Sequence, residues 1–387
     1  MSGCSASVTD KPSETREGYY EIVFDLGEVQ CPTRWNITKD GITIINADER
    51  IPVSAYRISG DSASFALPVF GTTVNFFFTA KDSLHGFFRD QHKKGNYKVA
   101  FTGHKSQKNP SFPEEPNIRS TYDITIDKNE DAYKAIGILN SKSGRVTGTF
   151  LTETGDYRFL EGKETSNGKF YLSCFDGSHL FYFSGVMTGD SINGKFFSGN
   201  HWNTTWNGVK DKSVSLVHPD SLTYLKRGNT SVQFMGLDPN KDTTEFNSMD
   251  FNQVSIIQIL GTWCPNCMDE TRYYNELAAK YKGQLNIIGL AFERPSELAA
   301  QIKNIALYRK ELNVAYPIYL SGRASKHEAS HMFSELSGIT SFPTSLFLDK
   351  KGMVRKIHTG FYGPGTGNYY TDYIKETEAF LEGLIRE

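Results

Sequence analysis

The chain has 387 residues, with 42 basic side chains against 44 acidic ones and a formal net charge of −2. That length holds about two or three domains. The balance of charge, without a long block of either sign, excludes the electrostatic footprint of a nucleic-acid binder. No uninterrupted apolar run approaches the ~20 residues that span a membrane as a helix.

The chain opens on Met1-Ser2-Gly3-Cys4 and a polar, Ser/Thr-rich stretch. Residues 1–17 are expected to be a disordered tail. A small residue, a glycine and then a cysteine resembles the end of a bacterial lipoprotein signal. In that reading Cys4 carries the lipid, the tail is a tether, the upstream basic and apolar segments have been cut away, and Met1 stands as a start. The plainer reading is an ordinary cysteine in a tail.

Residues 18–210 read as one antiparallel all-β domain, a barrel or a sandwich. Turn signals recur at Asp40-Gly41, Ser143-Gly144, Thr154-Gly155-Asp156, Asn167-Gly168, Asp176-Gly177, Asn193-Gly194 and Asn207-Gly208. Short runs rich in Phe, Tyr, Val and Thr lie between them, the pattern of successive hairpins. Both faces of the strands near Phe170–Phe175 and Leu180–Val186 carry aromatics. One face is core; the other needs cover, either from the second domain or from a ligand. Lys105 to Tyr122, with Pro110, Pro113 and Pro116, reads as a long exposed loop. Cys31 and Cys174 are isolated in sequence; they either pair with each other or are two small buried apolar residues.

Residues 211–231 read as a linker, and 232–387 as an α/β domain. Strands are expected at Val254–Leu260, Leu285–Phe292 and Tyr316–Leu320, and helices at Cys264–Lys282, Pro295–Leu312, Ser325–Leu336 and Tyr369–Ile385. Ser345–Asp349 and Val354–Gly360 form a hairpin around Lys350-Lys351-Gly352. The alternation implies a parallel core with an antiparallel edge.

Trp263-Cys264-Pro265-Asn266-Cys267 sits where the first of these strands gives way to a helix. A cysteine at a helix N-terminus faces unpaired N–H groups and the positive end of the dipole, which favour thiolate. The thiolate is the species that attacks a disulfide. The second cysteine, one turn on, is placed to resolve the mixed disulfide. Pro265 suits the first helical turn. A structural zinc site would need two more ligands, usually a second cysteine pair. A haem attachment would need histidine where Met268 stands. A purely structural disulfide here closes a very small loop and stabilises little.

These residues resemble a thioredoxin-fold domain of the TlpA-like thiol–disulfide oxidoreductases. The resemblance rests on Trp-Cys-x-x-Cys after a strand, an extra strand–helix unit, Ser341-Phe342-Pro343-Thr344, and the closing hairpin and helix. The runs Trp263–Glu270 and Gly289–Arg294 look like the lipoprotein type found in Bacteroidetes. The resemblance implies that Pro343 is cis and faces the cysteines. With Phe342 and Trp263 it then forms an edge that docks an extended substrate segment. Thioredoxin carries an acid six positions before the first cysteine, where Gln258 stands here. Glu293 is the implied replacement, partly buried near Cys267 as its proton acceptor; the alternative is a surface carboxylate paired with Arg294. Asn266, with Asp269 and Glu270 close behind, disfavours a strong oxidant, so the poise is expected nearer thioredoxin than DsbA, which differ by about 150 mV.

Three other patterns compete. His327-Glu328-Ala329-Ser330-His331 matches a zinc-protease motif but lacks a third ligand at zincin spacing. Gly363-Pro364-Gly365-Thr366-Gly367 lacks the Gly-Lys-Ser/Thr ending of a phosphate loop and reads as a flexible connector. His201, Trp202 and Trp206 are explained by lining a β core. A peroxiredoxin needs threonine three positions before its cysteine, where Gly261 stands. The expected function is therefore disulfide exchange by Cys264 and Cys267 in the periplasm or cell envelope, with no cofactor. Disulfide-bonded envelope proteins and an upstream thiol reductant are the expected partners, with no nucleic acid, and with the membrane only through a lipid anchor. The alternative is an envelope binding protein whose redox pair is secondary.

Overall fold

The computed structural model describes residues 16–53, 56–93, 95–106, 118–127 and 132–387. Cys4 and Pro110, Pro113 and Pro116 lie outside the described residues. Arg16, assigned to the tail, is bonded to the first sheet: its guanidinium donates to the Gly60 carbonyl at 2.6 Å.

Two nine-stranded antiparallel sheets stand where one β domain was expected. The first comprises β1 (Gly18–Asp25), β2 (Gln30–Thr38), β3 (Gly41–Asn46), β4 (Glu49–Val53), β5 (Tyr56–Ser59), β6 (Ser62–Leu67), β7 (Thr72–Ala80), β8 (Ser83–Asp90) and β9 (Lys98–Lys105). β9 returns to β1, so the order is β4-β3-β2-β1-β9-β8-β7-β6-β5. Alternate residues of β2 point inward, with Trp35 fully buried. Its indole meets Phe65, Phe76 and Phe101 with ring centroids 5.4, 6.0 and 5.3 Å away.

The second sheet comprises β10 (Ile118–Asp127), β11 (Tyr133–Lys142), β12 (Arg145–Thr152), β13 (Gly155–Asp156), β14 (Leu160–Glu164), β15 (Lys169–Phe175), β16 (Leu180–Thr188), β17 (Ser191–Ser198) and β18 (Trp202–Lys210). β10 pairs with β18 and β11 with β12, so the ladder closes into a barrel with β13 attached outside it. Phe183 stacks on Phe150 and Phe196 in its interior, beside Trp206. Strand begins again at Ile118, so the expected loop to Tyr122 overshoots: Tyr122 is buried in the barrel. The second aromatic face is covered by the first sheet, not by the α/β unit. Phe175 lies 5.1 Å from both Phe24 and Phe88. His201 sits at the same junction, against Tyr97. Cys31 and Cys174 are both buried free thiols.

The stretch after β18 packs on the third unit. It forms α1 (Pro219–Leu222), where Asp220 accepts from Lys356 at 3.2 Å and pairs with His358 at 2.7 Å. The third unit runs β19 (Gln233–Leu237), β20 (Thr243–Asn247), β21 (Val254–Leu260), α2 (Pro265–Lys280), β22 (Leu285–Glu293), α3 (Leu298–Glu311), β23 (Ile318–Arg323), α4 (Lys326–Met332), β24 (Thr344–Leu348), β25 (Val354–Thr359) and α5 (Asn368–Arg386). Its order is β20-β19-β23-β22-β21-β24-β25, with β21, β22 and β23 parallel. Every residue of β21 is buried, as a continuous apolar run in a covered parallel sheet requires. The β19–β20 hairpin was not anticipated. α4 stops at Met332, four residues short of the expected end, and the freed chain lets Leu336 bridge to Leu225. Glu328 caps a turn here, accepting the Arg323 N–H at 2.8 Å. The glycine-rich segment is not a loose connector: the Gly363 N–H donates to Asp156 of the barrel at 2.6 Å.

Candidate active site

β21 ends at Leu260, and four residues later Cys264 is the N-cap of α2, with Pro265 in the first turn. The Cys264 sulfur accepts the Cys267 backbone N–H at 3.3 Å. This is one of the donors a helix start leaves unpaired. As a thiol, Cys264 points at the Phe342 carbonyl oxygen, 3.6 Å away. The Phe342–Pro343 peptide is cis. Cys264 keeps 9% of its surface and Cys267 none, so only Cys264 is reachable. Burial and the neighbouring Cys264 push the Cys267 thiol up.

Trp263 walls the pair. Its indole N–H donates to the Phe292 carbonyl at 2.9 Å, its ring meets Phe342 edge-on at 5.8 Å, and Arg294 lies over it at 4.3 Å. Gly261 is required beneath it, because a Cβ there would come within 2.4 Å of the indole nitrogen.

Glu293 and Glu270 are both buried. The register aligns Leu260 with Ala291, which brings Glu293 level with Thr262. Glu293 is wholly buried and accepts from the Thr262 N–H at 3.0 Å and hydroxyl at 2.8 Å. Burial raises its carboxyl to about 6. It anchors the turn before the cysteines, and its bonds do not go to Cys267. Glu270, through its charge, adds a lesser upward push to the Cys267 thiol. It is fully buried, accepting from Gln258 at 2.8 Å, Ser345 at 3.1 Å and Tyr274 at 3.2 Å, and burial raises its carboxyl to about 7. Gln258 thus donates to the buried acid rather than marking its loss. Sequence reasoning missed this role of Glu270 because an acid close behind a helix start reads as a charge that opposes a thiolate and stabilises the helix.

Asp269 stands one residue before Glu270. It is buried, paired with Arg272 at 2.6 Å and with Arg158 of the barrel. Arg158 also pairs with Glu49 of the first sheet, so one guanidinium joins all three units. The β13 turn lies over the cysteines. The Thr154 carbonyl accepts from Ser341 at 3.2 Å, and Gly155 rests on Asn266 so closely that a Cβ would lie 2.0 Å from its amide nitrogen. Tyr362 and Tyr369 pack on Ile136, Ile138 and Leu151 of the barrel. What remains at Cys264 is a cavity of about 180 Å³, with Tyr157, Arg158, His179 and Phe181 on the barrel side and Trp263 and Asn266 on the other. Asp176 holds the His179 ring nitrogen at 3.0 Å, and the imidazole stacks on Phe181. No local signal in the sequence places these barrel residues at the cysteines.

A strand–turn–helix presenting a capped, reachable thiol over a buried one, beside a cis-proline, is the arrangement of a dithiol redox centre. No family model matches the chain. It is 30% identical over 105 residues to the thiol:disulfide interchange protein DsbE of Vibrio cholerae, covering 27% of this chain and 49% of that one. It is 29% identical over 101 residues to the thiol-disulfide oxidoreductase ResA of Geobacillus thermodenitrificans, covering 26% and 51%. The chain spans about half the length of the curated relatives it matches. A solved thiol:disulfide interchange protein of the thioredoxin family from Chlorobium tepidum superimposes with a TM-score of 0.28 at 20% identity, over 38% of this chain and 97% of that one. Over about a quarter of its length, then, the chain is similar to thioredoxin-like thiol–disulfide oxidoreductases.

Proposed function

We propose that this protein exchanges thiols and disulfides through Cys264 and Cys267. The Cys264 thiolate attacks a disulfide sulfur, forms a mixed disulfide and releases one thiol. Cys267 then gives up its proton and attacks the Cys264 sulfur. The second thiol leaves, the Cys264–Cys267 disulfide forms, and the substrate has gained two electrons. An upstream thiol reductant restores the pair. The observation that carries this reading is the Cys264 sulfur on the Cys267 N–H, with the second sulfur buried behind it. Trp263 and Phe342 wall the sulfur, Pro343 shapes the edge beside it, and Glu293 sets the turn. Glu293, implied by the resemblance, and Glu270, whose charge adds to the upward push on the Cys267 thiol, are the two buried acids that could accept its proton. The names of the similar proteins support the chemistry.

The lipoprotein type and the envelope location extend the same reading, with Cys4 as the lipid site. No helix among the described residues is long and apolar enough to cross a membrane. Cys267→Ser tests the chemistry: a disulfide probe should remain covalently attached through Cys264, and a variant that captures none refutes the exchange. The mass of the protein from native membranes tests the anchor; an unmodified Cys4 refutes it.

A further inference from the structure

The edge that an extended substrate segment would use is already occupied. Ser341 donates to Thr154, and Gly155 rests on Asn266, so the protein's own turn lies along Phe342 and Pro343. That cover is held by the buried Arg158 pairs to Asp269 and Glu49, by Asp156 on Gly363, and by an apolar seam. These are the contacts of a fixed interface, not of a loosely resting flap.

We propose, resting on the redox reading above, that Cys264 serves small disulfides whose arms are a few heavy atoms long, and excludes peptide and protein disulfides. The cavity of about 180 Å³ admits about six water-sized groups. Drug-sized ligands take about 300–1,000 Å³. Arg158 sits in the cavity wall with a side chain only 6% exposed. Asp269, Glu49, Asp176 and Asp156 already face the same guanidinium, so a further anion is not favoured there. The substrate's arms are therefore uncharged. The exchange is the two-step transfer written above: two substrate thiols form, each taking a proton, as the cysteine pair is oxidised.

The test uses the full chain, reduced, freed of reductant, and mixed in a single turnover with hydroxyethyl disulfide, glutathione disulfide or insulin. Loss of the Cys264 and Cys267 thiols is counted after an acid quench. Each rate is divided by that of the same disulfide with free dithiothreitol, which removes differences in intrinsic reactivity. The expected normalised rates fall roughly tenfold or more at each step from hydroxyethyl disulfide to glutathione disulfide to insulin, the scale of discrimination a size-limited pocket gives. If glutathione disulfide or insulin matches hydroxyethyl disulfide, the small-substrate assignment is overturned while the redox reading stands. If none of the three oxidises the pair, the redox reading itself falls, and this assignment with it.

Discussion

Glu270→Gln should flatten part of the pH dependence of stability. Burial raises the Glu270 carboxyl from 4.5 to about 7, so the folded state holds its proton where the unfolded chain has released it. For an acid raised in this way, the stabilisation is fully present below the unfolded value and is lost as pH rises through the folded one. At about 1.4 kcal/mol per pK unit, wild type should lose roughly 2–3 kcal/mol between about pH 5 and pH 8 through this group alone. Asp156 and Glu293, each raised to about 6, add losses of the same sign but stay in both proteins. The amide cannot ionise. Its oxygen can keep Tyr274 and Ser345, but its nitrogen faces that of Gln258, a mismatch costing roughly 1–3 kcal/mol. The variant should therefore be the weaker protein at pH 5 and draw level or ahead at pH 8. Urea unfolding followed by the helical circular-dichroism signal reads this out, since α2, α3 and α5 all belong to the third unit. An equal gap between the two proteins at both pH values would refute the reasoning.

Arg158→Met takes the buried guanidinium from Glu49 and leaves Asp269 only Arg272, and should cost roughly 3–5 kcal/mol by urea denaturation. Adding Glu49→Gln and Asp269→Asn should return part of that, and no recovery would argue against the ion pairs as the cause. Gly261→Ala forces the Trp263 indole off its Phe292 carbonyl. It should cost about 1–3 kcal/mol and shift tryptophan emission; an unchanged spectrum would show that the site has room. Iodoacetamide should label Cys264 in the native protein but reach Cys31 and Cys174 only in denaturant, because burial pushes both of those thiols up. Peptide mapping decides, and native labelling of either buried residue would contradict the packing.

What could be read from the sequence was local. A continuous apolar run, a glycine and a cysteine before a proline specify strand, turn and capped helix within fifteen residues of one another, and β21 and α2 follow that pattern closely. What could not be read was long-range. Turn signals mark where strands reverse, but not that β9 returns to β1 or that β10 meets β18, and those closures split the β region in two. Glu270 reads as a helix-start charge until Gln258, Tyr274 and Ser345 converge on it from three elements. Arg158 and Asp269 lie 111 residues apart, and nothing near either one announces the other.

The three-way hold of Arg158 also bears on modularity. A fragment beginning near Val232 would keep the cysteines and their strand–helix scaffold. It would leave Asp269 with Arg272 alone, the Gly363 N–H without Asp156, and the Tyr362 and Tyr369 rings bare to water. The redox unit here is not a cassette to be cut out and transplanted; its surface is finished only by its neighbours.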